Sequence, residues 1–72
     1  EKQLHFGDST VGISVKEVDP IFVGRTVDTL PMKTGEAIMG VQRDSDKVYL
    51  YNGRKKIVLN PQDKLIITRI ND

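Results

Sequence analysis

Seventy-two residues, no cysteine and one histidine exclude two common supports of a very small domain, a disulfide framework and a structural zinc cluster. A chain of this length buries only about 60% of the surface its unfolded form exposes, so association is the remaining way to enlarge the core, and a two-fold homodimer is expected. Eleven basic against ten acidic residues leave a net charge of +1, which argues against a general nucleic-acid binder, and no apolar run approaches the roughly 18 residues of a membrane span.

The lack of cysteine fits a reducing cytoplasm, and no secretory signal opens the chain. A start at Glu1 rather than Met leads us to expect one domain attached to a larger parent chain, which can itself be a membrane channel or transporter.

In chain order, residues 1–10 carry mixed charge and turn formers around Leu4 and Phe6 and read as a linker or short packed arm, with the domain proper at 11–72. Val11, Ile13 and Val15 alternate with Gly12, Ser14 and Lys16, the period of two of a half-buried strand. Asp19-Pro20 ends that strand near Val18, because a residue before proline avoids the helical region.

The segment from Pro20 to Leu30 is the one stretch with helical character. Gly24 is a poor helix interior, so the spacing predicts a short helix after it, capped by Thr26, with Val27 and Leu30 turned inward. Pro31 stops it.

Ala37 to Val41 is a nearly continuous apolar run, as in a central strand covered on both faces. Asp44-Ser45-Asp46 is turn chemistry, and Lys47 to Tyr51 is rich in β-formers. Asn52-Gly53 then predicts a tight hairpin with Arg54 to Leu59 as the returning strand. After the turn at Asn60 to Asp63, Leu65 to Ile70 closes the domain as a strand. The expected fold is a small, mainly β domain of the α+β class: one strand, a short helix, then about four strands.

Four segments in this order carry a resemblance. They are Ser14-Val15-Lys16-Glu17-Val18, then Asp19-Pro20-Ile21-Phe22-Val23-Gly24-Arg25-Thr26 with Val27 and Leu30, then Ile38-Met39-Gly40-Val41-Gln42-Arg43, and last Gln62-Asp63-Lys64-Leu65. From Ile13 to Thr68 the chain resembles the TrkA-C family, the C-terminal (RCK) lobe of potassium channel and transporter regulatory proteins. Gln62 stands where the family has the glycine of a Gly-Asp pair, and Arg69 stands at its closing glycine.

The resemblance implies a dimeric, ligand-sensing cytoplasmic lobe that regulates potassium or other ion and solute transport. Ligands across that family include cyclic di-AMP, metal ions and nucleotides, bound at or near the dimer interface. Its cyclic di-AMP motif is not matched here, since Pro31 and Lys33 replace the aspartate and arginine and no asparagine precedes Ile38. Lys33 keeps a charge without the planar fork that grips phosphate, so the identity of any ligand stays open.

Nothing in the sequence assembles a catalytic set. His5 stands alone and reads as a solvated side chain, and no phosphate-cradling glycine loop is present. Asp44 and Asp46 read as a solvated turn rather than a metal site, for no calcium loop or following glutamate accompanies them. Arg54-Lys55-Lys56 reads as edge protection, with an anion contact as the functional alternative. Tyr49 and Tyr51 share a strand face and read as packing, with base stacking as the alternative.

The candidate ligand contacts are therefore Arg25, Lys33 and Arg43, the basic residues beside the helix and the central strand. Ile21 and Phe22 are adjacent and cannot both face inward in an extended chain, so they, with Ile38, are the candidate dimer contacts. No metal site and no nucleic-acid partner are expected. Two other readings stand beside the sensory lobe: a small nucleic-acid-binding β-barrel using the tyrosines and Arg54 to Lys56, and a dimerisation lobe without a ligand.

Overall fold

The computed structural model describes residues 2–71; Glu1 and Asp72, including the carboxylate at the end of the chain, lie outside the described residues. Five antiparallel strands form one sheet: β1 (Lys2–Phe6), β2 (Ser9–Glu17), β3 (Glu36–Arg43), β4 (Lys47–Leu50) and β5 (Lys64–Asn71). Their order across the sheet is β1-β2-β5-β3-β4, and the sheet curls into a half-barrel. The mainly β character expected from the sequence is what the structure has.

Helical structure among the described residues is confined to two single 3-10 turns, Pro20–Phe22 and Val27–Thr29. The first is capped by Asp19, whose Oδ1 accepts the Ile21 N–H at 3.1 Å. The second stands where the short helix is predicted. Thr26 occupies its N-cap position without a side-chain cap bond, and Pro31 prevents extension beyond Leu30. Val27 and Leu30 are buried as their spacing predicts.

Of the two forms expected for residues 1–10, the packed arm is the one present, as a strand: β1 folds back on β2, with Leu4 opposite Val11 and Phe6 opposite Ser9. Two other expectations are corrected. The central strand of the five is β5, flanked by β2 and β3, while β3 lies one place toward the edge. The predicted hairpin at Asn52-Gly53 does not form.

The reason for the missing hairpin is local. A two-residue type I′ turn needs positive φ at both central residues, and only Gly53 has it, at 84°. The Asn52 carboxamide oxygen instead accepts the N–H groups of Arg54 and Lys55 at 2.9 and 3.0 Å, an Asx turn that leads the chain off the sheet. Residues 57–59 then run beside residues 24–27. Gly24 N–H donates to Leu59 O, Leu59 N–H to Arg25 O and Val27 N–H to Ile57 O, each at 2.9 Å. This places Ile57 and Leu59 in the core and leaves the outer edge of β4 open.

The core lies on the concave side of the sheet. Val41, Leu65 and Ile67 come from β3 and β5, and Val18, Val27, Leu30, Ile57 and Leu59 cover them from the two connecting segments. Between Ile38 and Gly40 the pairing with β5 slips, a β-bulge, and the Met39 carbonyl turns to accept the Tyr51 N–H at 2.9 Å. A Cβ at Gly40 would stand 2.6 Å from the Tyr49 carbonyl oxygen, so the crossing of β3 and β4 requires glycine there.

The pairing register also fixes the opposite face. Leu65 and Ile67 point to the core, and Lys16 and Ser14, paired with them, share that side. Val11, Ile13 and Val15 therefore point away from the core, together with Ile66 and Ile70 of β5, Leu4 and Phe6 of β1, and Val48 and Leu50 of β4. The alternation that identifies β2 as a strand thus faces out of the domain.

Candidate functional site

The best-formed polar constellation is built around Arg43 at the end of β3 and Asp63 just before β5. Arg43 donates from Nε to Asp63 Oδ1 at 2.9 Å and from Nη2 to Asp63 Oδ2 at 2.7 Å, a two-point fork. Nη2 also reaches the Val58 carbonyl at 2.8 Å, which ties the crossing segment to the sheet. Asp63 in turn accepts the Asn60 N–H at 2.8 Å, and its own N–H donates to Asn60 O at 3.1 Å, closing the Asn60-Pro61-Gln62-Asp63 turn.

Asp63 is only 2% exposed. The Arg43 guanidinium, itself part of the surface, forms the lid over it, so the carboxylate is shielded by its own partner rather than by deep packing. The Arg43 hydrogen bonds hold the Asp63 carboxyl below its usual range, partial burial opposes this, and the Asn60 N–H adds to the lowering. The same pairing raises Arg43 above its ordinary value.

An open cleft beside this pair is lined by Arg43, Asp44, Asn60, Pro61, Gln62 and Asp63. With Nε and Nη2 committed, the Nη1 edge of Arg43 is what remains to meet an incoming group. The guanidinium also lies 5.4 Å from the centroid of the Tyr49 ring, and Lys55 Nζ approaches the same ring at 5.4 Å.

Of the three basic residues singled out in the sequence, Arg43 alone lines this cleft. Arg25 sits over the Phe22 ring at 5.8 Å, and its carbonyl takes part in the pairing with Leu59. Lys33 is exposed in the loop before β3, where its carbonyl accepts the Glu36 N–H at 3.0 Å. Among the dimer candidates, Ile21 is 69% exposed, whereas Phe22 and Ile38 pack partly buried against the core. Ile21 and Phe22 lie not in an extended chain but in the 3-10 turn Pro20–Phe22, which leaves Ile21 outside and turns Phe22 toward the core.

His5 lies exposed on the edge strand β1. Asp44 to Asp46 turn the chain from β3 to β4, with Asp44 at φ 63° and Gln42 Nε2 donating to Ser45 O at 3.2 Å. Tyr49 shares the concave side with Val41, opposite it in the register, and packs against the core. The basic triplet is dispersed: Lys55 faces Tyr49, Lys56 pairs with Asp28 at 3.2 Å, and Arg54 is exposed on the Asx turn. Among the described residues, no three His, Cys, Asp or Glu side chains group so as to hold a metal ion.

Sequence reasoning missed the partnership of Arg43 with Asp63. The available signal was a lone arginine ending an apolar strand and a lone aspartate immediately before another, twenty residues apart. No family model, no curated protein and no solved structure matches this chain.

Proposed function

We propose that this chain is a non-catalytic, dimeric ligand-sensing domain of the TrkA-C kind, which regulates potassium or other ion and solute transport by a larger parent protein on the cytoplasmic side of a membrane. One observation carries this reading. Two of the segments that carry the resemblance, Ile38 to Arg43 and, with its departure at Gln62, Gln62 to Leu65, are joined by the Arg43–Asp63 fork. Residues matched to separate motifs thus cooperate in one structural device.

The preceding motif supports the same reading. Asp19 and Pro20 form a capped turn, Gly24 pairs with Leu59, and Val27 and Leu30 close the core. A regulatory role requires a ligand that binds one dimer geometry better than another; equal affinity for both would shift nothing. The Nη1 edge of Arg43 and the cleft beside Asn60 to Asp63 are the contacts this reading assigns to such a ligand. None of the described helical segments is long and apolar enough to cross a membrane, so in this account the membrane part belongs to the rest of the parent chain.

The test is a thermal-shift titration of the domain against cyclic dinucleotides, ATP, ADP, NAD(H) and mono- and divalent cations, with a short oligonucleotide as control. A ligand at about 100 times its dissociation constant adds roughly 2.7 kcal/mol, which is several degrees in a domain this small. A saturable shift with one small molecule, abolished by Arg43→Gln, is the expected result. A shift with the oligonucleotide alone would overturn the reading, and no shift with any compound would leave a dimerisation lobe without a ligand.

A further inference from the structure

The convex face of the sheet is largely apolar, and none of the described residues covers it. Across one row it presents Val15 from β2, Ile66 from β5 and Leu50 from β4, with Gly40 between the last two. Ile70 and Phe6 extend the patch toward the other end of the sheet. Leu50 is 67% exposed, Phe6 60%, Ile70 56% and Val15 54%.

These are β-strand positions, held in register by backbone pairing, so their outward direction is fixed. The polar residue at the middle of the face, Thr68, is satisfied within the sheet by donating to Ala37 O at 3.3 Å. Among the described residues, the charges that share this face, Lys2, Glu17 and Lys64, lie toward its ends and are of both signs. An apolar centre with a mixed polar rim is the anatomy of a protein interface.

We infer that this convex face is the surface on which two copies of the chain pack, sheet against sheet, about a two-fold axis. The inference rests on the dimeric part of the proposed function and supplies the surface that does it. Five strands about 4.8 Å apart, with up to nine residues rising about 3.4 Å each, span a face on the order of 500 Å². That lies within the roughly 300–600 Å² of the largest apolar patch on a typical monomer, a patch that is often functional, and is a little over half of the roughly 800 Å² each partner contributes to a standard interface.

Size and charge select the occupant. A helix with its side chains is about 10 Å across and covers only part of a sheet this wide, whereas a second copy presents a sheet of the same width. A membrane surface is favoured by a cationic rim, and the mixed rim with a chain charge of +1 does not provide one. A second copy also offsets the small internal core by adding a second apolar layer on the other side of β2 and β5.

Sedimentation equilibrium on the 72-residue chain tests this, comparing wild type with Val15→Lys/Ile70→Lys and Ile21→Lys. All three sites are more than half exposed in the single chain, and circular dichroism checks that each variant is folded. The milder pair Leu50→Thr/Ile70→Thr provides the same test if the lysine pair fails to fold.

The wild type is expected to be a dimer and Ile21→Lys to match it. The convex-face variants should have a dissociation constant raised roughly 100-fold or more, since both apolar contacts and the desolvated centre are lost. A folded Val15→Lys/Ile70→Lys variant that dimerises like wild type would overturn the convex face while leaving a dimer, and Ile21→Lys alone becoming monomeric would move the interface to the Pro20–Phe22 turn. A wild type that stays monomeric at millimolar concentration would overturn both the face and the dimer, whereas a ligand shift in the thermal titration would still sustain the sensory reading.

Discussion

Replacing Arg43 by methionine removes the lid over a buried carboxylate while keeping most of the aliphatic volume. Three charge-assisted hydrogen bonds are lost, at 2.9 and 2.7 Å to Asp63 and 2.8 Å to Val58 O. Each such bond contributes about 1.5–3 kcal/mol when its partner is left without another, and breaking a fully buried pair costs about 3–5 kcal/mol. Here the cost is smaller, because Arg43 is part of the surface and its removal lets water reach Asp63. We expect a loss of about 2–3 kcal/mol at pH 7, or roughly 10–20 °C in melting temperature for a domain of this size.

The pH dependence follows from the lowered folded pKa of Asp63. Above the unfolded value of about 3.9 the carboxylate is ionised in both states, and the pair contributes its full stabilisation. As the pH falls from that value through the lower folded pKa, the folded state takes up the proton against the Arg43 interaction, and the contribution disappears. Urea unfolding of wild type and Arg43→Met at pH 7 and near pH 2 should therefore show a large difference at the first and a much smaller one at the second. A difference that is below about 0.5 kcal/mol at pH 7, or unchanged between the two, would refute the role given to the fork.

Three further changes probe the fold. Gly40→Ala forces a Cβ to within 2.6 Å of the Tyr49 carbonyl, and since that atom is backbone it cannot swing aside; we expect about 2 kcal/mol or more of destabilisation by chemical denaturation. Leu59→Ala empties a site that is 1% exposed at the crossing of residues 57–59 over the sheet, and should cost about 2–5 kcal/mol in the same assay. Asn52→Ala removes the acceptor of two backbone N–H groups at an exposed turn, so about 0.5–1 kcal/mol is expected, with faster amide exchange at Arg54 and Lys55.

How far the sequence could be read depended on what each signal encodes. Alternation at Val11, Ile13 and Val15 fixes the strand, but period two is silent about which set faces inward, and here Gly12 and Ser14 take the concave side. Asn52-Gly53 signals a turn reliably; whether it returns the chain into the sheet depends on the φ of Asn52, which responds to the pull of Ile57 and Leu59 toward the core. Val27 and Leu30 were placed correctly because Pro31 and their spacing are local.

The candidate site was legible in part for a related reason. Arg43 can be singled out as a cation ending an apolar strand, but its pairing with Asp63 is a tertiary fact spanning twenty residues. Arg25 and Lys33 share only their charge with it, and charge on a surface residue carries no address. The β1 strand escaped notice because Leu4 and Phe6 are its only apolar residues, an alternation too short to set a strand apart from a linker.

Small-angle X-ray scattering of the wild-type chain over a concentration series tests the dimeric basis of the account most directly. The single chain has a Cα radius of gyration of 12.6 Å. Two copies packed through their convex faces, with sheets about 10 Å apart and centres about 20 Å apart, give roughly 16 Å together with twice the monomer mass. A concentration-independent value near that of the single chain, with monomer mass, would contradict it.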